Sequence, residues 1–158
     1  MSTSDFETVT AEFHRRVAKT IWCTLATVDA RGRARTRVVH PVWDGAVGWL
    51  GSRAGTPKLA HVARSPDVSL LYWDPDHEQV TIDARATIES SADARRQAWD
   101  ALQAPAPPYG FDPQPIWPGG PDGDDFVAIR LVARRIELFG APPVVWKADV
   151  MSLQEDAP

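Results

Sequence analysis

Apolar residues recur along this chain at two spacings, three-to-four and two, and each change of spacing marks an element. Phe6, Val9, Phe13 and Val17 predict an amphipathic helix over Ser4–Lys19, with Ser4 as its cap and Glu7 three residues on. Thr20–Val28 then reads as a strand, and Asp29–Gly32 as a turn whose glycine takes a positive φ. Arg33–Val42 alternates as a second strand, Trp43-Asp44-Gly45 turns, and Ala46–Leu50 is a third. A glycine-bracketed loop, Gly51–Gly55, leads to a short helix with Thr56 as N-cap and Pro57 at its first position. Leu59, Val62 and Ala63 form its apolar side, and Ser65-Pro66 ends it. Asp67–Trp73 and Glu78–Glu89 are two more strands. Ser91 caps a helix running to about Ala104, with Ala94, Ala98, Trp99 and Leu102 inward. A last long strand covers Phe126–Phe139, bent near Ala133.

About six strands joined mainly by tight turns predict a mainly β protein, an antiparallel barrel with a few short flanking helices. One stretch breaks the pattern. Pro105–Gly123 is too long for a connection in a compact domain, yet Tyr109, Phe111, Ile116 and Trp117 are too apolar for disorder. It is expected to pack against something, over a ring or a substrate mouth. The organisation expected is a single domain over residues 1–140 and a tail over 141–158.

At 158 residues, with 44% hydrophobic positions, the chain has the material for one real core. A net charge of −4 argues against a nucleic-acid or anionic-membrane surface. Basic residues nevertheless concentrate between Arg31 and Arg64, which suggests a local anion site in an acidic protein. The single cysteine, Cys23, leaves no internal disulfide and no cysteine zinc cluster. No apolar run reaches membrane-spanning length and Met1–Asp5 is no signal peptide, so a cytoplasmic protein is expected.

Candidate chemistry lies in the loop after Leu50. Ser52, Arg53 and Lys58 converge on free N–H groups at a helix N-terminus, an arrangement that suits phosphate. It is neither a P-loop nor a dinucleotide fingerprint, and on local chemistry alone a solvated turn carrying two basic residues is the stronger reading, which the rest of the chain changes. Arg35 and Arg37 share one face of a strand, facing either a ligand or solvent. His40 reads as a packed or capping histidine, His61 as riding the outer side of the short helix, and His77 as solvent-facing. These histidines, with Asp74 and Asp76, do not make a metal set, and Asp122–Asp125 reads as a solvated turn. The seven tryptophans are mostly packing, with one or two left for a planar ring or a dimer seam.

Four segments, in order and spacing, carry a resemblance: ATVDARGRARTRVV from Ala26 to Val39, GSRAGTPK from Gly51 to Lys58, SPDVSLLY from Ser65 to Tyr72, and EQV from Glu78 to Val80. They resemble the pyridoxamine 5′-phosphate oxidase-like family of flavin-binding split barrels, over about Phe13–Ile88 and more weakly Ala128–Phe139. The resemblance implies an antiparallel split β-barrel, an FMN cofactor, oxidoreductase activity and a homodimer with cofactor sites at the interface. It implies that Arg37 reaches the flavin phosphate and that Val38 and Val39 line the flavin edge. Gly51, Ser52, Arg53 and Lys58 would cradle the phosphate, and Gln79 would meet the flavin from the neighbouring subunit.

Three positions depart from the oxidases. Pro57 and Val42 stand where they carry arginine and lysine, and nothing after Phe139 is similar to their R-L-H-D-R substrate grip. Pyridoxine phosphate oxidation is therefore not what the resemblance implies. The T-P-K helix start looks more like the branch whose members use FMN or the deazaflavin coenzyme F-420, the alternative cofactor. Hydride chemistry belongs to the flavin, and no side chain stands out as a catalytic acid or base. A non-catalytic flavin- or haem-binding or redox-sensing module is the alternative of another class, and a dimerisation domain with a vestigial pocket a third.

Overall fold

The computed structural model describes residues 2–3 and 5–149. In chain order the elements are β1 (Ser2–Thr3), α1 (Phe6–Thr20), β2 (Cys23–Val28), β3 (Ala34–Val39), β4 (Val42–Asp44) and β5 (Val47–Arg53). Then come α2 (Pro57–Arg64), β6 (Asp67–Trp73), β7 (Gln79–Glu89), α3 (Ala92–Gln103), β8 (Phe126–Leu138) and β9 (Val144–Lys147). The strands form one sheet, antiparallel except where β1 joins β9.

The order β3-β2-β6-β7-β8 continues along β8 in two directions. The first half of β8, Phe126–Val132, pairs with β5, which carries β4 on its far side. The second half, Arg135–Leu138, pairs with β9. A shift in register opposite Asp83/Ala84 leaves Arg134 unmatched, and this bulge bends β8 beside Ala133, where the sequence suggested a bend. Two of the sheet's edge strands, β3 and β4, are joined only by His40-Pro41. Proline cannot extend the ladder, so the single strand expected over Arg33–Val42 divides here, and the barrel stays split.

Inside the barrel, Leu25, Leu70, Ile82, Leu131 and Ile136 are each buried to 1% exposure or less. Helix α1 adds Val9, Phe13 and Val17 as its spacing predicted. Asp5 is its N-cap and Ile21, at φ 68°, ends it; the predicted cap Ser4 lies outside the described residues. Helix α3 buries Ala98, Trp99 and Leu102, and the Ser91 side chain accepts from the Ala94 N–H as a cap does. In α2, Val62 is buried and Leu59 packs on the core, but Ala63 is exposed. No helix among the described residues is long and apolar enough to cross a membrane.

Other boundaries moved for local reasons. The third strand runs on through Gly51, Ser52 and Arg53, because these residues pair with Ala128, Val127 and Phe126. Trp43 belongs to β4 rather than to a turn, and the turn is Gly45-Ala46. The stretch set apart as a tail carries β9, whose neighbour Phe6 packs edge-on against Trp146. Within Pro105–Gly123, Tyr109 and Trp117 are buried. The Tyr109 hydroxyl accepts from the Trp43 N–H at 2.7 Å, and the Phe111 N–H reaches the Leu102 carbonyl at 2.9 Å. That segment is a folded wall.

Candidate functional site

The split in the barrel opens as a cleft of about 550 Å³. Strand β3 and the seam contribute Val38, Val39 and His40, β5 contributes Leu50 and Gly51, and α2 contributes Lys58. The long segment closes the other side with Pro108, Phe111, Asp112, Ile116 and Trp117, and Ile21 and Trp22 complete it. The lining is predominantly apolar and aromatic, with polar groups at its edge, the usual character of a small-molecule site.

Arg37 stands beside this cleft. It lies opposite Leu25 on the inward side of β3, not on the barrel exterior. Its Nη1 faces three oxygens: Thr27 Oγ1 at 2.7 Å, the Arg35 carbonyl at 3.0 Å and the Leu25 carbonyl at 3.2 Å. Those contacts occupy one corner of the guanidinium and leave Nε and Nη2 without a protein partner among the described residues. Arg35, on the same face, is different: Asp29 accepts from its Nε at 3.0 Å and from Arg33 Nε at 2.9 Å. Arg33 and Arg35 thus share the Asp29 carboxylate, and Arg37 pairs with no carboxylate among the described residues.

Lys58, in the first turn of α2, is half-buried, and its Nζ approaches Thr56 Oγ1 at 3.3 Å. Burial, and then the charge of Arg37, push its ammonium below the ordinary lysine range; burial likewise lowers Arg37. No carboxylate among the described residues forms an ion pair with either. Two adjacent, partly desolvated cations with no counter-ion among the described residues suit a bound anion.

The hydroxyls around them form a second tier. Ser52 is 2% exposed on β5, its Oγ 2.9 Å from Thr56 Oγ1, and Thr56 Oγ1 also donates to the Arg53 carbonyl at 3.1 Å. Thr56 has the extended backbone of an N-cap, but its side chain is turned to these partners and does not cap. His61 is not on the outer side of α2: its Nδ1 lies 2.9 Å from Thr27 Oγ1, behind the Arg37 contact.

Of the residues named from the sequence, the fold gathers Arg37, Val38, Val39, Gly51, Ser52 and Lys58 at one place. Arg53 is exposed at the end of β5, and Gln79 does not line the cleft. Gln79 pairs with Trp73 across β6 and β7, on the outer face of the sheet. Sequence reasoning assigned no ligand-facing role to Thr56, Thr27, His61 or His40. Thr56 was legible only as a cap, and the other three meet partners far away in the sequence that only the folded chain brings near.

That outer face carries an exposed apolar patch among polar residues. Val38, Thr24, Leu71 and Thr81 lie in one row across four strands. Trp22 is 58%, Val38 67%, Leu71 42% and Trp73 53% exposed. A shallow groove runs over this patch, and Trp22 and Val38 line both it and the cleft.

A split barrel with an anion-ready cleft at its seam is the class of protein these features define. The family profile described as pyridoxamine 5′-phosphate oxidase matches residues 9–140, and the chain belongs to that family. Among curated protein sequences, none matches. A Clostridium acetobutylicum protein related to general stress protein 26 superposes with a TM-score of 0.73 at 15% identity, over 92% of this chain and 98% of the other. A conserved hypothetical protein of Mycobacterium tuberculosis gives 0.62 at 23% identity, over 87% and 83%. A NimC/NimA family protein of C. acetobutylicum gives 0.67 at 10% identity, over 87% and 92%. At these identities the likeness is one of fold.

Proposed function

We propose that this chain is an FMN-dependent oxidoreductase, holding the cofactor by its phosphate and working on a small planar substrate in the adjoining cleft. One observation carries the reading: Arg37 and Lys58 stand together, partly stripped of water and without a carboxylate partner among the described residues. A phosphate dianion satisfies both. The free edge of Arg37 matches two phosphate oxygens, and Lys58 adds a point charge at the start of α2. Thr56 offers a hydroxyl beside Lys58, held in place by Ser52. The apolar walls built by Trp22, Val38, Phe111 and Trp117 suit a flat ring system. A bound flavin supplies the hydride chemistry. The chain's own residues bind it, orient it and keep water from its ring.

The same reading makes the protein a homodimer. Trp22 and Val38 belong to both the cleft and the outer groove, so a partner laid on the groove also narrows the cleft mouth. A two-fold arrangement presents each subunit's Gln79 to the other's site.

Titrating purified protein with FMN, riboflavin and coenzyme F-420 at one salt concentration tests the proposal. FMN binding far tighter than riboflavin supports it, and equal affinity for the two overturns the phosphate assignment. Tighter binding of F-420 than of FMN replaces the cofactor. Bleaching by a reductant followed by reoxidation with a substrate panel separates an enzyme from a module that only binds.

A further inference from the structure

His40 occupies the seam where β3 hands over to β4, and it lines the cleft. Its Nε2 lies 2.7 Å from the Tyr109 carbonyl oxygen. A carbonyl only accepts, so Nε2 carries the hydrogen. The ring is half-buried among aromatic groups, with Phe111 at 4.8 Å and Trp22 at 5.0 Å between centroids, and it forms no ion pair with a carboxylate among the described residues. These surroundings favour the neutral ring, and burial accordingly lowers its proton affinity. A neutral imidazole with its hydrogen on Nε2 keeps a bare lone pair on Nδ1, and no described residue donates to that atom. The other ionisable groups of the lining have separate roles: Lys58 stands beside Thr56 at the proposed phosphate position, and Asp112, exposed, accepts from the Gln114 N–H. The Tyr109 carbonyl and the ring contacts fix the orientation of His40 before any ligand arrives.

We propose that His40 sets the ligand specificity of the cleft: its Nδ1 accepts a hydrogen bond from an O–H or N–H on the edge of an aromatic ligand. The cleft then takes phenols and N–H heteroaromatics in preference to their methylated counterparts. This deepens the reading above and rests on it for the planar guest, while its test does not depend on FMN.

The test is calorimetric titration of 4-hydroxyacetophenone and 4-methoxyacetophenone into the protein, with and without saturating FMN. Wild type is expected to bind the phenol about three- to tenfold more tightly than the ether, the value of one hydrogen bond. His40→Phe keeps a flat ring against Trp22 and Phe111 and should abolish the preference. His40→Gln, whose amide both donates and accepts, should restore part of it. A wild type that does not discriminate overturns the proposal, and so does a folded His40→Phe that still does. FMN binding without the phenol preference rejects this proposal alone, and the preference without FMN binding rejects the flavin reading alone.

Discussion

A Cβ added to Gly51 would stand 2.5 Å from Cη2 of Trp117. Strand β5 therefore needs glycine where the long segment lays its tryptophan against the backbone. Trp117 in turn meets Phe126 edge-on at 5.2 Å, so it cannot yield without disturbing the start of β8. Gly51→Ala should destabilise the fold by about 1–3 kcal/mol, as overpacking does. Because the displaced ring is a wall of the cleft, FMN and riboflavin should lose affinity together. Thermal melting and paired titrations read both effects; unchanged melting would mean that the segment moves freely.

Lys58→Ala isolates the phosphate contact. One charge-assisted bond is worth about 1.5–3 kcal/mol, so FMN affinity should fall roughly ten- to a hundredfold. Riboflavin has the ring without the phosphate and should lose little. The apo-protein should melt no lower, since the substitution also removes the repulsion between Lys58 and Arg37. Arg37→Lys keeps the charge but not the fork, and should weaken FMN although its net charge is unchanged. Equal losses for FMN and riboflavin would assign Lys58 to ring contacts or folding.

The difference between what the sequence shows and what it hides is visible in these residues. Periodicity was enough for α1, α3 and most strands, because each has one face buried and the other wet. It misplaced the Arg33–Val42 strand because alternation continues across His40-Pro41, although the two sides pair with opposite edges of the sheet. Arg35 and Arg37 are the same residue type on the same face, and only the folded position of Asp29 pairs one and leaves the other available. His61 and Thr27 are 34 positions apart, and no local pattern announces their contact. The long segment's aromatics did announce packing, but not that its Tyr109 would orient His40.

The outer face gives a prediction about assembly. Leu71 is 42% exposed within an apolar patch, with Val38 and Trp73 more exposed still. The wild type should be a dimer by light scattering at micromolar concentration, and Leu71→Arg should shift it towards monomer by placing a charge in the seam. Gln79→Ala should leave the dimer intact and weaken flavin binding several-fold. A wild-type monomer that still binds FMN would remove Gln79 from the site.

Acid should weaken the fold in two separate windows. His14 and His40 are held below the ordinary imidazole value of 6.5, both chiefly by burial, with Asp44 pulling the other way at His14 and the Tyr109 carbonyl at His40. As pH falls through about 6.5 the unfolded chain takes up these protons before the folded one does. The unfolded state then binds more protons, so stability declines as pH drops from about 7 towards 5. Asp74 and Glu78 are held low as well, Asp74 first by its bond from Lys19 and Glu78 first by Arg15. Their contribution is present above the ordinary carboxylate range and is lost only as pH falls below about 4. Urea unfolding from pH 8 to pH 3 should show both slopes, and the double variant His14→Gln/His40→Gln should flatten the upper one alone. If the decline between pH 7 and pH 5 survives in that variant, its source is not the buried imidazoles.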